Sequence, residues 1–183
     1  KIRAFQFDET AGEPMTEAEV PFKKTQLGDG PRHFVFHPNG QFAYSVNELS
    51  GSIGVFSWQN GELANIQQIN THADTIYDGF ESSDIHFSPD CRFLYASNRG
   101  TENNLAIFAV GADGKLTNTG YQSVLGNHPR TFAIDPSGKF VIVTNVVSGN
   151  VVVFKRNSET GMLVAVEQDI RMTNVSCVKI RNY

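Results

Sequence analysis

The chain has 183 residues, a net charge of −4 and an isoelectric point of about 5.7. This length predicts one domain or a part of one. Because there is no excess of basic residues to neutralise phosphates, we expect neither a nucleic-acid partner nor an anionic membrane partner. No apolar run reaches the roughly 18 residues that a membrane helix needs. The hydrophobic fraction of 40% predicts a folded chain rather than a disordered one.

The two cysteines, Cys91 and Cys177, lie far apart in the sequence. Neither belongs to a CxxC motif or a histidine-rich segment, so we expect no metal site. No secretory signal pattern is found at the start of the sequence. These features together predict two reduced thiols in a cytoplasmic protein.

Three sequence markers recur at a nearly constant spacing. Prolines in short turns recur at intervals of 51 and 47 residues, and asparagines recur at the same intervals. Apolar runs centred on a phenylalanine recur every 46 to 52 residues. Such a period is typical of repeat architectures. The three series are Pro38, Pro89 and Pro136; Asn47, Asn98 and Asn145; and Phe5, Phe56, Phe108 and Phe154.

Each repeat is predicted to contain four strands. The first two strands are joined by a turn of the type His37-Pro38-Asn39-Gly40, in which proline and glycine occupy positions that favour turns. In the second repeat Cys91 replaces the glycine. No amphipathic helix is found. In the first full repeat the predicted strands are Pro31–Phe36, Phe42–Asn47, Ser52–Trp58 and Leu63–Ile69.

A four-stranded repeat of this length predicts an all-β fold, a β-propeller of antiparallel four-stranded blades. The alternative, a β-sandwich, does not repeat at blade length. The whole chain, 1–183, is then a partial ring, about half of a larger propeller. Its predicted parts are the outer strands of one blade (1–26), three blades (27–70, 71–125 and 126–171), and the inner strand of a further blade (172–183), placed at Asn174–Asn182.

Polar residues gather where the first strand of each blade begins and the second ends. Innermost strands converge on the propeller axis, so these residues should surround one opening. Arginines there suit an anionic, oxygen-rich molecule, and a histidine with a carboxylate suits acid–base chemistry. The alternatives are that Arg32 and Arg130 are structural ties to carboxylates and that Asp84 caps its strand. We interpret His37, His72 and His86 as surface or turn histidines. The predicted rim residues are Arg32, His33, Asn47, Glu48, Ser83, Asp84, Asn98, Arg99, His128, Arg130, Thr131 and Asn145.

Several motifs resemble the lactonase family of seven-bladed β-propellers, which also includes carboxymuconate lactonizing enzymes. The similarity covers essentially the whole chain and follows the C-terminal half of the family. The motifs are Gly-Pro-Arg-His at 30–33, His-Pro-Asn-Gly at 37–40, Val-Asn-Glu-Leu at 46–49, Ser-Asp-Ile-His at 83–86, Leu-Tyr-Ala-Ser-Asn-Arg-Gly at 94–100 and Pro-Arg-Thr-Phe at 129–132.

The resemblance implies hydrolysis of an anionic sugar-acid lactone such as 6-phosphogluconolactone, without a metal or organic cofactor. It places the catalytic positions at His33, Asp84 and Arg130. Five further rim residues are expected to bind substrate. Muconate-type enzymes resemble this chain less, and the resemblance implies a glutamate in them at the position of Asp84. The aspartate therefore favours a gluconolactone as substrate. The expected substrate-binding residues are Arg32, Glu48, Asn98, Arg99 and His128.

The expected reaction is ester hydrolysis, in which His33, alone or paired with Asp84, activates water and Arg130 or Arg32 stabilises the oxyanion. Arg99, together with whichever of Arg130 and Arg32 does not stabilise the oxyanion, is expected to bind the phosphate. No Gly-x-Ser-x-Gly motif is present, which argues against a serine nucleophile. The alternatives are a muconate-type lactonizing cycloisomerase and a non-catalytic binding scaffold. Because a partial ring exposes apolar blade faces, we expect self-association or pairing with a missing propeller half, and little activity alone.

Overall fold

A computed structural model describes residues 1–73, 79 and 81–181. Within them every regular element is a strand, so no helix there could span a membrane. The strands, numbered in chain order, are β1 (Ile2–Phe7), β2 (Met15–Lys23), β3 (Pro31–Phe36), β4 (Phe42–Asn47), β5 (Ser52–Gln59), β6 (Glu62–Asn70), β7 (Ser82–Phe87), β8 (Phe93–Asn98), β9 (Asn104–Val110), β10 (Leu116–Ser123), β11 (Pro129–Ile134), β12 (Phe140–Asn145), β13 (Asn150–Arg156), β14 (Leu163–Ala165) and β15 (Ile170–Arg171).

The strands form antiparallel meanders in which each strand pairs with its neighbour in sequence. Strands β3 to β6 form one four-stranded sheet and β7 to β10 form the next. In the third sheet β11, β12 and β13 are followed by two short strands, β14 and β15, which both pair with β13. Strands β1 and β2 form a separate two-stranded sheet. The predicted all-β fold, a partial β-propeller, is confirmed.

The proline turns fold as the sequence predicted, with the amide of Gly40 donating to the carbonyl of His37 at 2.9 Å. Gly40 has a φ of 71°, a left-handed conformation that glycine adopts without steric penalty. Cys91 stands at the same turn position with a φ of 57°. The turn geometry therefore holds even where a side chain replaces glycine, and this places Cys91 at the opposite end of the blade from the rim.

The core lies between neighbouring blades. Apolar residues of β4 and β5 pack against β7, β8 and β9 in one buried cluster, and those of β8 and β9 pack against β11, β12 and β13 in a second. In each cluster a tyrosine hydroxyl forms the same hydrogen bond to the neighbouring blade. The hydroxyl of Tyr44 donates to the carbonyl of Gly114, and that of Tyr95 donates to Gly161, each at 2.7 Å. These blade-to-blade contacts hold the inner strands in a fixed register.

The strand expected at Asn174–Asn182 is not formed. Residues 174–181 contain no strand, and Asn182 lies outside the described residues, as do positions 74–78 and 80 of the second predicted blade. A strand requires a ladder of hydrogen bonds to a neighbouring strand, and no described segment offers one here. The hydroxyl of Thr131 donates to the carbonyl of Ser176 at 3.2 Å, so this tail (174–181) nevertheless runs beside β11.

Candidate active site

The site is built on β3, β7 and β11, the first strands of the three blades, which lie side by side. Each has a break in its pairing register at the expected site positions. The shifts fall between Pro31 and His33, between Ser82 and Ile85, and between Pro129 and Thr131. Such bulges redirect side chains and are frequent beside active sites. The repeated bulge therefore lies at equivalent places in the three blades, at Arg32, at Ser83 and Asp84, and at Arg130.

Asp84 is the centre of the site. Its residue exposure is 4%, yet its carboxylate contacts two imidazole rings. The Nδ1 atom of His33 lies 2.7 Å from Oδ1, and the Nε2 atom of His86 lies 3.0 Å from Oδ2. One buried carboxylate thus orients a histidine from its own strand and a histidine from the neighbouring blade.

Backbone amides complete the surroundings of this carboxylate. The amide of Ile85 donates to Oδ1 at 3.0 Å and that of Phe132 donates to Oδ2 at 3.2 Å. Burial alone would raise the pKa of Asp84, but the hydrogen bonds from His33 and His86, together with that from Phe132, hold its pKa well below the usual range. Asp84 is therefore ionised at neutral pH and stabilises positive charge on either ring.

Arg32 determines which nitrogen of His33 carries the proton. The Nη1 atom of Arg32 lies 3.0 Å from Nε2 of His33 and donates to the carbonyl of Ser83 at 2.7 Å. Because a guanidinium group only donates, Nε2 of His33 must accept. The proton of a neutral His33 ring then lies on Nδ1, from which it is donated to Asp84.

A second polar cluster surrounds Arg99. Its guanidinium forms an ion pair with Glu48, donates to the carbonyl of Glu81 at 3.3 Å and lies 3.4 Å from Nε2 of His128. Nε of Arg32 lies 3.8 Å from the carboxylate of Glu48. Arg32 and Glu48 therefore form the structural ion pair that was the alternative to ligand binding. Arg99 is held by Glu48, Glu81 and His128.

The positive charges of this cluster act on one another. Burial lowers the pKa of His128, and the charges of Arg99, Arg130 and Arg32 lower it further, against the opposing effect of Glu81. Burial likewise lowers the pKa of Arg32, which Glu48 offsets and the two neighbouring arginines reinforce. An electropositive rim of this kind favours a neutral His128 and attracts an anionic ligand.

Arg130 is the exposed member of the group. Its carbonyl accepts a hydrogen bond from the hydroxyl of Ser83 at 2.7 Å. Within the described part of the chain its guanidinium has no hydrogen-bonding acceptor. It also does not line the cavity beside His33 and Asp84. Arg130 is thus free to meet a ligand at the rim but lies outside the cavity that holds the other two expected catalytic residues.

Asn98 does not face a ligand. It has no exposed surface, its amide nitrogen donates to the carbonyl of Thr71 at 2.7 Å, and its amide oxygen accepts from Ser82 at 3.0 Å. Asn47 and Asn145 are buried at the same position of their blades. The recurring asparagine therefore fastens the end of the second strand, and the substrate-binding role expected for Asn98 has no support in this geometry.

A cavity of about 390 Å³ lies beside Asp84. Three inner strands and the tail contribute to its wall, so it stands at the centre of the blade arrangement. Its polar lining combines acid–base groups with a lysine and a thiol. The lining residues are Arg32, His33, Phe34, Val35, Asp84, Ile85, His86, Thr131, Phe132, Cys177, Val178 and Lys179.

His86 and Lys179 are site residues that the sequence interpretation missed. His86 was assigned to the surface because it recurs in no other repeat. A usable signal was present, since residues two apart on a strand share a face and His86 follows Asp84 by two. Its ring packs edge-on against Phe132 with a centroid distance of 4.8 Å. Lys179 gave no such signal, because it lies in the tail that forms no strand.

The model of the family described as lactonase, 7-bladed beta-propeller matches residues 1–180. The chain belongs to this family. A 6-phosphogluconolactonase of Formosa agariphila is 40% identical over 184 residues, covering 100% of this chain and 52% of that protein. A 6-phosphogluconolactonase of Bacillus subtilis is 36% identical, covering 83% of this chain and 44% of that protein. The chain thus spans about half the length of the relatives it matches.

Solved structures agree with the family assignment. A Bacteroides fragilis crystal structure superposes with a TM-score of 0.92 at 34% identity, covering 98% of this chain and 51% of that chain. The periplasmic gluconolactonase of Pseudomonas aeruginosa superposes with a TM-score of 0.84 at 36% identity, covering 88% of this chain and 45% of that chain. The blade arrangement of this lactonase-family chain is therefore shared with experimentally determined propellers.

Proposed function

We propose that the protein hydrolyses a sugar-acid lactone, with 6-phosphogluconolactone as substrate and 6-phosphogluconate as product. The observation that carries the proposal is the buried Asp84 carboxylate at 2.7 Å from His33, in a cavity beside an electropositive rim. An oriented histidine can deprotonate water near neutral pH, and the rim can attract an anionic substrate. The names of the relatives from Formosa agariphila and Bacillus subtilis support this substrate.

The proposed reaction consumes only water. A histidine held by Asp84 takes a proton from water, whose oxygen bonds to the lactone carbonyl carbon. The tetrahedral oxyanion collapses, the bond to the ring oxygen breaks, and that oxygen takes the proton back from the imidazolium. Asp84 stabilises the imidazolium, because its depressed pKa keeps it ionised. The remaining donors of Arg32 are placed beside the cavity, where the oxyanion forms.

The phosphate of the substrate is proposed to bind at Arg130. This guanidinium is exposed, whereas Arg99 is engaged by Glu48 and Glu81. Lys179 offers a second cation at the cavity wall. Of the two arginines expected to bind the phosphate, Arg130 is proposed to do so, while Arg99 fixes Glu48 and adds to the positive potential. The cytoplasmic location remains a prediction.

The test measures opening of 6-phosphoglucono-δ-lactone by the purified chain at concentrations at which it self-associates, since the partial ring alone is expected to have little activity, and the rate in buffer alone is subtracted. We expect acceleration of this lactone, a smaller effect on glucono-δ-lactone, and no cyclisation of 3-carboxymuconate. Asp84→Asn serves as the inactive control, and Asp113→Asn, an exposed turn residue, serves as the matched substitution. A rate equal to that in buffer, with ligand binding retained, would instead favour a binding scaffold.

A further inference from the structure

We infer that His86, and not His33, is the general base of the proposed hydrolysis. The inference rests on the proposed function and assigns one of its steps to a named atom, Nδ1 of His86. Both rings are held by Asp84 and both line the same cavity. They differ in whether a ring nitrogen is open to water or substrate.

His33 has both of its ring nitrogens engaged by protein groups. Nδ1 faces Asp84 at 2.7 Å, and Nε2 accepts from Arg32 at 3.0 Å. For Nε2 to take a proton from water, the Arg32 contact would have to break, and the resulting imidazolium would face a fixed guanidinium. Arg32 cannot easily move away, because its Nη1 atom is also held by the carbonyl of Ser83 at 2.7 Å.

His86 has one nitrogen engaged and one open. Nε2 lies 3.0 Å from Oδ2 of Asp84, and Asp84, being ionised, can only accept. The proton of a neutral His86 ring therefore lies on Nε2, and Nδ1 carries the lone pair. Among the described residues no group forms a hydrogen bond with Nδ1 of His86. The side chain is 35% exposed and lines the cavity beside Asp84.

The surroundings favour a base at this position. The other titratable groups that line the cavity are Asp84 on the same strand, Arg32 and His33 on β3, and Cys177 and Lys179 in the tail. From β11, Thr131 and Phe132 contribute no charge, and Phe132 fixes the ring plane through an edge contact at 88°. Among the residues that the structure describes, only Asp84 forms an ion pair with His86. A proton gained at Nδ1 is thus stabilised through the opposite side of the ring.

The step balances without any co-reactant. Nδ1 of His86 takes one proton as the water oxygen bonds to the carbonyl carbon. The imidazolium returns that proton to the ring oxygen as the carbon–oxygen bond breaks. The product is the open hydroxy acid, which then loses a proton to water. Arg32 keeps its remaining donors beside the carbonyl, His33 keeps donating from Nδ1 to Asp84, and neither residue exchanges a proton in this step.

The first test reads the ring tautomers and needs no activity. Two-bond ¹H–¹⁵N correlation spectra of the ¹⁵N-labelled chain at pH 7.5 distinguish the two neutral tautomers of a histidine. We expect the Nε2–H form for His86 and the Nδ1–H form for His33, with peaks assigned from His86→Gln and His33→Asn. A His86 ring in the Nδ1–H form would overturn the inference.

The second test separates a base from a structural contact. In His86→Gln the amide nitrogen can replace Nε2 as donor to Asp84, but it cannot take a proton. We expect kcat to fall by about 100-fold or more while KM changes less than about threefold, and the acidic limb of the kcat profile to disappear. His33→Asn should lose less than about tenfold and keep the acidic limb. His37→Gln, at the opposite end of the blade, controls for loss of a histidine.

The outcomes distinguish the inference from the function it rests on. If His86→Gln keeps wild-type activity and the acidic limb, the assignment to His86 is contradicted. The same holds if His33→Asn loses both the activity and the acidic limb. Either result leaves lactone hydrolysis in place. A wild-type chain that does not accelerate the lactone would refute the proposed function itself. In that case the tautomer spectra still decide whether His86 carries the open basic nitrogen.

Discussion

The Nδ1 atom of His33 lies 2.7 Å from Oδ1 of Asp84, although the two residues are 51 positions apart in the chain. This separation equals one blade repeat, as measured from Pro38 to Pro89. Equivalent positions of neighbouring inner strands are therefore adjacent in space. A repeat architecture can thus assemble an acid–base pair from two blades by varying one residue in each copy.

Replacing Asp84 by asparagine should abolish most of the proposed activity. The amide carries no charge to stabilise an imidazolium and can accept through only one of its two heavy atoms, so His33 and His86 cannot both donate to it. We expect kcat for the phosphorylated lactone to fall by about 100-fold or more. Steady-state kinetics of Asp84→Asn beside Asp113→Asn checks this, and a loss of less than about threefold would contradict the central role of the carboxylate.

The same carboxylate should affect stability in acid. The pKa of Asp84 in the folded chain lies below its ordinary value of 3.8. Its contribution to stability is therefore complete above about pH 4 and is lost as the pH falls from there towards the folded pKa. Urea unfolding should show wild type more stable than Asp84→Asn by about 1–3 kcal/mol at pH 7.

The pH dependence supplies the control for that measurement. The difference in unfolding free energy between wild type and Asp84→Asn should shrink as the pH falls from about 4 to 3, because the unfolded wild-type chain then takes up a proton on Asp84 while the folded chain, with its lower pKa, keeps the carboxylate ionised. Trp58 fluorescence and circular dichroism report the transition. A difference that is constant or grows between pH 5 and pH 3 would show that the Asp84 carboxylate is not stabilised by folding.

The repeat markers predicted most of the fold because they report turns and ladders that recur. The bounds of β3 and β4 match the expected Pro31–Phe36 and Phe42–Asn47. The described residues 174–181 of the tail contain no strand, since an alternating sequence indicates strand propensity but not the presence of a neighbouring strand to pair with. The interruption between β14 and β15 was not foreseen either, because Gly161 marks only the turn that precedes them.

The site was predicted in part for the same reason. Alignment of the repeats brought His33 and Asp84 to one equivalent position and Arg130 to the position next to it, and the neighbouring inner strands place these residues close together. His86 was missed because it recurs in no other blade. The engagement of Arg99 by Glu48 and the burial of Asn98 depend on side-chain conformations across blades. Periodicity in the sequence carries no information about those conformations.

A buried arginine between the second and third blades should be important for stability. Arg156 donates to Asp90 at 2.7 Å, to the hydroxyl of Tyr95 at 3.0 Å and to the carbonyl of Gly138 at 3.0 Å. Arg156→Met leaves these acceptors without their donor, so we expect a loss of about 3 kcal/mol in the free energy of unfolding. Urea denaturation measures it. Arg171→Met, which breaks an exposed pair, should lose about 1 kcal/mol or less.

Arg130→Gln should weaken binding of the phosphorylated product. The guanidinium is exposed beside Arg32 and His128 and has no protein acceptor among the described residues, so it is available to a phosphate. We expect affinity for 6-phosphogluconate to fall about tenfold and affinity for gluconate to change little. Calorimetric titration of both ligands checks this. Lys139→Gln, at the opposite end of its blade, is the charge-matched control, and equal losses for both ligands would contradict the phosphate role.

The two-stranded sheet of β1 and β2 should drive association of the chain. Phe7 pairs with Met15 across this sheet, and their exposures are 71% and 63%, while Phe5 is 50% exposed. A two-stranded sheet is marginally stable alone, and exposed apolar side chains on it favour burial against a partner. We therefore expect this face to pair with a second copy or with the rest of a seven-bladed ring.

Sedimentation velocity over a range of concentrations should show self-association of wild type that the double substitution Phe5→Ser and Phe7→Ser reduces. Val147→Ser, which removes an isolated exposed side chain, should leave association unchanged. A wild-type chain that sediments as a monomer at every concentration would contradict the expected self-association.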